Sequence, residues 1–328
     1  MRFFDGATVY DPENKLEKDW NIYNIYSPND WPFNYLRAYA KGAAGFVGAL
    51  QNFMNGHYDH EDYSDIVDMD GYQEMAAVWV SREDGEYLKS VPGAKASFNV
   101  ATLYEYRDAL NVKGVVKGLS DDIVVIHSHH DATCRGAVQD ASGMSVVLSL
   151  AKYFASRPKE ELKTTVMFLA TDSHYTDYEG HVGFLDQIEK NGEKIIIDFA
   201  VEHIGKAMEL DDDNNIILYN ESEARQMYVS KIDHLPQKVH ELVAKYGLEK
   251  MMILPVETRK EGAYQSGDVN SDAYDFNVRG IPVVSLISAP MYLYHDTDDI
   301  DKVHEDSLAP VAKMFIELLQ QVWDELGY

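Results

Sequence analysis

The sequence predicts an α/β protein in which helices cover a largely parallel sheet. Three observations carry this. After about residue 95, short apolar runs of strand type alternate with segments of helical periodicity. Strands alternating with helices pack as an α/β sandwich. The chemically suggestive motifs each fall at or just beyond the end of a predicted strand, where ligands gather in such sheets.

Taken in order, residues 19–26 alternate as a strand does, and residues 31–50 read as a helix running into Gly42-Ala43-Ala44-Gly45-Phe46-Val47. A strand is predicted at 76–80 and a short helix at 86–89, with Pro92-Gly93 closing the unit. Strands then follow at 112–117 and 122–126, and a helix at 142–155. Further strands are predicted at 164–170, 195–202 and 280–286. Helices are predicted at 235–246 and, at the C-terminal end, 307–326.

With 328 residues the chain is long enough for two domains. Its formal charge of −26 argues against nucleic acid as a partner, because phosphates would be repelled. No apolar run is long enough to cross a bilayer, and the first residues lack a basic stretch followed by an apolar core, so no membrane partner and a cytoplasmic location are expected. The single cysteine, Cys134, excludes an internal disulfide framework and a cysteine-rich zinc site.

Five stretches carry candidate chemistry. His127-Ser128-His129-His130-Asp131 ends the apolar run 123–126. His129 with Asp131 suits a neutral imidazole ligand and the carboxylate that positions it, and His127 and His130 crowd the same place. Asp140, in Asp140-Ala141-Ser142-Gly143, is either a helix cap or a carboxylate shared between two metals. Asp172-Ser173-His174-Tyr175 offers His174 as a general base, with Asp172 as the alternative, or simply a solvent-facing loop. Glu202-His203-Ile204-Gly205 and Tyr294-His295-Asp296 complete the set. Asp211-Asp212-Asp213 reads as a solvated turn, since the glycine and bidentate glutamate of a calcium loop are missing. Neither a Gly-rich phosphate loop nor a Gly-x-Ser-x-Gly elbow is present, so serine nucleophile chemistry has no support.

In order and near spacing, these stretches resemble the co-catalytic zinc aminopeptidase family, whose relatives include glutamate carboxypeptidase, glutaminyl cyclase and the transferrin receptor. The resemblance covers residues 100–328. It rests on His129-x-Asp131, on Gly136-Ala137-x-x-Asp140-x-Ser142-Gly143, on Glu202 and Tyr294-His295, and on Ser271-Asp272 and Arg279-Gly280-Ile281-Pro282, which resemble the approach to the family's last ligand. Residues 15–95 resemble a protease-associated domain, a small β-rich lid. The resemblance therefore implies a three-layer α/β/α sandwich with a mostly parallel sheet, a lid over residues 1–98 and a catalytic domain over 99–328.

It also implies His129, Asp140, Glu202 and His295 as metal ligands. The family's paired glutamates fall on His174 and Tyr175, which strikes the usual base and one metal ligand. The expectation is one tightly held zinc, with a second position that keeps only Asp140 and His295 unless His174, Tyr175, His181 or Asp172 joins it, and that is weak, absent or filled by another ion such as iron or manganese. The expected activity is metal-dependent hydrolysis of an amide or related C–N bond in a peptide or small molecule. His174 would serve as base, Tyr175 as oxyanion donor and Asp131 as the positioning carboxylate. A non-catalytic binding protein and a single-zinc acyltransferase of glutaminyl cyclase type are the alternatives.

Overall fold

The computed structural model of the chain describes residues 5–16, 33–49, 54, 75–97, 99–101, 105–176, 178–258 and 268–328. The elements, in chain order, begin with β1 (Thr8–Tyr10), α1 (Phe33–Ala40), β2 (Phe46–Ala49), β3 (Ala77–Val80) and α2 (Arg82–Ser90). The central part comprises β4 (Val112–Val116), β5 (Ser120–His129), α3 (Gly143–Ala155), β6 (Thr164–Thr171), α4 (Glu179–Asn191) and β7 (Ile195–Val201). The hairpin β8 (Lys206–Leu210) and β9 (Ile216–Ser222) follows, then β10 (Arg225–Ser230), α5 (Leu235–Lys245) and β11 (Met251–Val256). The chain finishes with α6 (Tyr274–Val278), β12 (Val283–Ser288) and α7 (Glu305–Glu325).

These elements form a three-layer α/β/α sandwich. Its sheet has the strand order β1-β11-β10-β12-β7-β5-β6-β4. The pairs β5/β6, β5/β7, β7/β12 and β10/β11 are parallel, while β1/β11, β10/β12 and β4/β6 are antiparallel. A sheet covered on both faces needs apolar residues at successive strand positions. β6 meets this with every residue buried. In β5, Val124 and Ile126 pack into one helical layer with Val147, Leu150, Phe315 and Leu318, whereas Ile123 and Val125 pack into the other with Leu185 and Phe276. That alternation is the two-residue period of a strand. The buried Trp323 Nε1 of α7 donates to Thr164 Oγ1 of β6 at 2.9 Å, tying the last helix to the sheet.

The N-terminal side carries a small β-rich region, in which β2 and β3 pair in parallel. β1 belongs to the large sheet, as an edge strand on β11. The helix expected over 31–50 stops at Ala40, and Phe46–Ala49 form a strand instead. Gly42 explains the break: its φ of 77° lies in the left-handed region that ends helices, and Phe46 and Val47 beyond it favour a strand. The strand expected over 19–26 lies outside the described residues. Among the described residues, no helix is long and apolar enough to cross a membrane.

Two positions test the packing energetically. A Cβ on Gly143, at the start of α3, would lie 2.1 Å from the Val201 carbonyl oxygen and 2.7 Å from Asp140 Oδ1. Gly143→Ala is expected to destabilise the fold by about 3 kcal/mol, read from the urea midpoint, because neither backbone nor buried carboxylate can give way. The second is Glu223, half-buried between β9 and β10, whose carboxyl burial pushes up to about 7 against the pull of Lys250 and Arg225. A raised carboxyl contributes stability below its unfolded value, and that contribution is lost as pH rises from about 4.5 through 7. Glu223→Gln is therefore expected to match the parent near pH 4 and to exceed it at pH 8 by about 2 kcal/mol, allowing for partial exposure. Urea unfolding at the two pH values checks this; an equal difference at both would place the effect elsewhere.

Candidate metal centre

The site is built at the carboxyl end of β5, between β6 and β7. Strand alternation sends His127 and His129 to the face that carries α4, and Ser128 to the opposite one. Both imidazoles are wholly buried. His129 Nδ1 faces the Asp131 backbone carbonyl at 2.9 Å and Asp131 Oδ1 at 3.2 Å. A ring held at Nδ1 in this way presents Nε2 as its free donor atom. Burial, then the neighbouring His174, lowers the His129 pKa and so favours the neutral form that binds metals.

The loop after β6 brings His174 over this ring. Its backbone N–H donates to Asp131 Oδ2 at 3.0 Å, and its Nδ1 meets Asp272 Oδ1 at 2.8 Å. The His129 and His174 rings stack, with centroids 4.0 Å apart and planes 17° apart. Asp272 lies just before α6 and is 1% exposed. Burial opposes its charge, but His174 and His181 beside it hold the carboxyl well below the usual range. Its other oxygen, Oδ2, lies 3.6 Å from His181 Nε2. His181 is placed by the first turn of α4, where Gly180 passes so close to β6 that a Cβ would lie 2.1 Å from the Asp172 carbonyl oxygen.

Two other buried carboxylates converge here. Asp140 accepts from Ser128 Oγ and, at 3.0 Å, from the His203 backbone N–H. Glu202 Oε1 accepts the Asp272 backbone N–H at 3.0 Å. Burial, reinforced by the Asp272 charge, pushes both carboxyls well above their usual range. His203 is also buried; its Nδ1 meets the Ser288 carbonyl at 2.7 Å, and burial lowers its pKa to about 3. Among the described residues, His129 Nε2, His203 Nε2 and Glu202 Oε2 have no hydrogen-bond partner. Each such atom costs about 1–3 kcal/mol when left bare. A divalent cation among them would satisfy the bare donors and favour the ionised carboxylates, so the donor set fits a metal. Ser173, Tyr178, His203 and Tyr294 all hold positive φ, from 51° to 66°, a concentration of backbone strain typical of functional sites.

Two buried His/His/Asp clusters result: His129, His174 and Asp272, and His127, His181 and Asp272. In each, candidate ligand atoms lie within 4.8 Å of one another. This is consistent with the active site of a co-catalytic, zinc-type hydrolase.

Of the ligands expected from sequence, His129 belongs to such a cluster. Asp140 and Glu202 stand beside it as described. His295 is buried, with Nδ1 2.9 Å from Thr297 Oγ1 and 3.1 Å from Asp296 Oδ1, and joins neither cluster. The Tyr175 ring packs edge-on against His129 and His174, at 5.8 and 4.8 Å between centroids.

Sequence reasoning saw Asp272 only in the approach to the last ligand, and it assigned no site role to Asp198 or His203. It saw His127 only as crowding and His181 only as a possible addition. Asp198 did leave a signal, a lone charge inside the apolar strand Ile195–Val201.

Residues 111–174, from β4 through His174, match the family model described as peptidase family M28. Solved M28-like structures share its fold. It is similar to BSAP, a zinc aminopeptidase from Bacillus subtilis, with 16% identity, a TM-score of 0.58 and coverage of 88% of this chain and 66% of that one. The aminopeptidase from Aneurinibacillus sp. strain AM-1 matches with 22% identity and a TM-score of 0.52, over 87% of this chain and 64% of that one. A peptidase M28 precursor from Shewanella amazonensis SB2B matches with 17% identity and a TM-score of 0.53, over 84% and 59%. The chain thus spans less than two thirds of the length of each of these proteins. No curated protein matches it.

Proposed function

We propose that the protein is a metal-dependent hydrolase cleaving an amide or related C–N bond, in a peptide or a small molecule. The observation that carries this is a buried imidazole, His129, fixed by Asp131 at one nitrogen and bare at the other, beside a second imidazole paired with a carboxylate. The stacked geometry divides their labour. An imidazole binds a metal through a lone pair in its own ring plane, and two nearly parallel rings 4.0 Å apart cannot both hold one ion in plane. His129 is therefore assigned as the ligand and His174 as the base.

Asp140 and Glu202 are proposed to complete the ligand set with His129, and His295 to stand at its edge. The chemistry a zinc ion supplies there is Lewis-acid polarisation of a carbonyl and acidification of water. His174 Nε2 takes the proton of the attacking water, while Asp272 Oδ1 steadies the imidazolium through Nδ1–H. The same nitrogen then returns the proton to the leaving amine. The proposed oxyanion donor is Tyr175, whose ring packs against both imidazoles. Residues 1–98 are proposed as a lid over a catalytic domain of 99–328.

The test is turnover on a panel of amino-acyl amides and small-molecule amides, with and without a chelator, on protein purified without metal-affinity resin. Chelator-sensitive release of amine, restored by zinc, is the expected result. No turnover on any substrate, with zinc bound, would instead mark a binding protein.

A further inference from the structure

The second cluster lies behind the first, within the α4 layer, and the hydrolytic chemistry does not use it. His127, His181 and Asp272 are each 0–1% exposed. His127 Nε2 faces the buried Asp198 carboxylate at 3.2 Å, which leaves Nδ1 as the nitrogen pointing elsewhere. Among the described residues, His127 Nδ1, both nitrogens of His181 and Asp272 Oδ2 have no hydrogen-bond partner. A purely structural polar cluster would pair these atoms with one another. Here the closest approach, His181 Nε2 to Asp272 Oδ2, is 3.6 Å, too long for a hydrogen bond. It is close to the edge of a tetrahedron whose corners lie about 2.0–2.1 Å from a central zinc, roughly 3.3 Å.

Ring orientation separates this cluster from the first. The planes of His127 and His181 cross at 75°, with centroids 5.5 Å apart, so one ion can lie in both ring planes. Phe276 stacks on His127 at 4.8 Å and Tyr178 lies 5.6 Å from His181, which closes the pocket with aromatic surface.

We propose that His127, His181 and Asp272 form a second metal site for a first-row divalent cation of the zinc or iron(II) class. Asp198 orients His127 through Nε2, and Asp272 joins the two clusters by offering Oδ1 to His174 and Oδ2 to the ion. Two imidazoles and one carboxylate are the donor set such cations take. The enclosed position makes the ion a positioning element for Asp272 rather than a contact for substrate. The inference goes beyond the hydrolase reading and does not need it.

The experiment is metal counting by elemental analysis after equilibration with zinc, together with chelator competition for the affinity of each equivalent. The parent protein should hold two equivalents. His127→Gln and His181→Gln should each lose one and keep the other, whereas His129→Ala should lose the other one. Because these buried variants can fail to fold, Asp198→Asn provides a milder probe that leaves all three ligands in place. It should weaken one equivalent about 10–100-fold, the range for a lost ligand-orienting partner. Circular dichroism confirms that each counted variant is folded. A parent that holds no metal overturns the site, as does a metal content, whether one equivalent or two, that Asp198→Asn, His127→Gln and His181→Gln all leave unmoved. Loss of amide turnover with both equivalents present would count against the hydrolase reading alone.

Discussion

Replacing His129 with alanine is expected to abolish amide turnover, by a factor on the order of 10⁴ or more, and to release one equivalent of tightly bound zinc. The size follows from what is lost. His129 is the one expected ligand that lies in a cluster of convergent donors, and Asp131 already holds its Nδ1. Without that imidazole, the carboxylates of Asp140, Glu202 and Asp272 remain buried near one another with less cation to balance them. Catalysis by such a site depends on polarising a carbonyl and acidifying water, and both vanish with the ion. Asp131→Asn should be milder, costing about 10–100-fold in zinc affinity, since it disturbs only the ring's orientation. Zinc content and amine release measured on the same samples decide the matter. A His129→Ala protein with full zinc and full turnover would remove this residue from the centre altogether.

The second large effect is expected at His174. His174→Gln should lower kcat by about 10²–10⁴-fold, the usual worth of a positioned base, while zinc content stays unchanged. Asp272→Asn should lower kcat in the same direction, because its Oδ1 holds the Nδ1 of His174 at 2.8 Å. The separation of rate from metal content is the informative part. It follows from the near-parallel stacking of His129 and His174, which forbids both rings from meeting one ion in plane. If zinc leaves together with turnover in His174→Gln, His174 is a ligand and the division of roles proposed above fails.

How much of this could be read from the chain alone depended on sequence distance. The apolar runs of β5 and β6 were plain, since a doubly covered strand writes its burial into consecutive residues. His129 and Asp131 were legible for the same reason, being two positions apart. Asp272 was not: it meets His174 across 98 residues of chain, and no local pattern announces that contact. His181 carried little signal, because a histidine in the first turn of a helix is ordinarily a surface residue. Its burial comes from Gly180, which lets α4 close against the end of β6. The misplaced helix over 31–50 has a local cause instead. Helical spacing outweighed Gly42 in the reading, whereas in the fold the left-handed turn at that glycine decides the outcome.

His127 and His129 sit two residues apart on a single strand, so their separation is one pleat repeat, about 6.6–6.8 Å along β5. Peptide geometry, not side-chain length, therefore fixes the interval between the two pockets. Inserting one residue early in β5 would turn both imidazoles toward α3 and bring Ile126 and Ser128 round in their place. A single register step would then erase both ion sites at once while leaving a strand in the sheet.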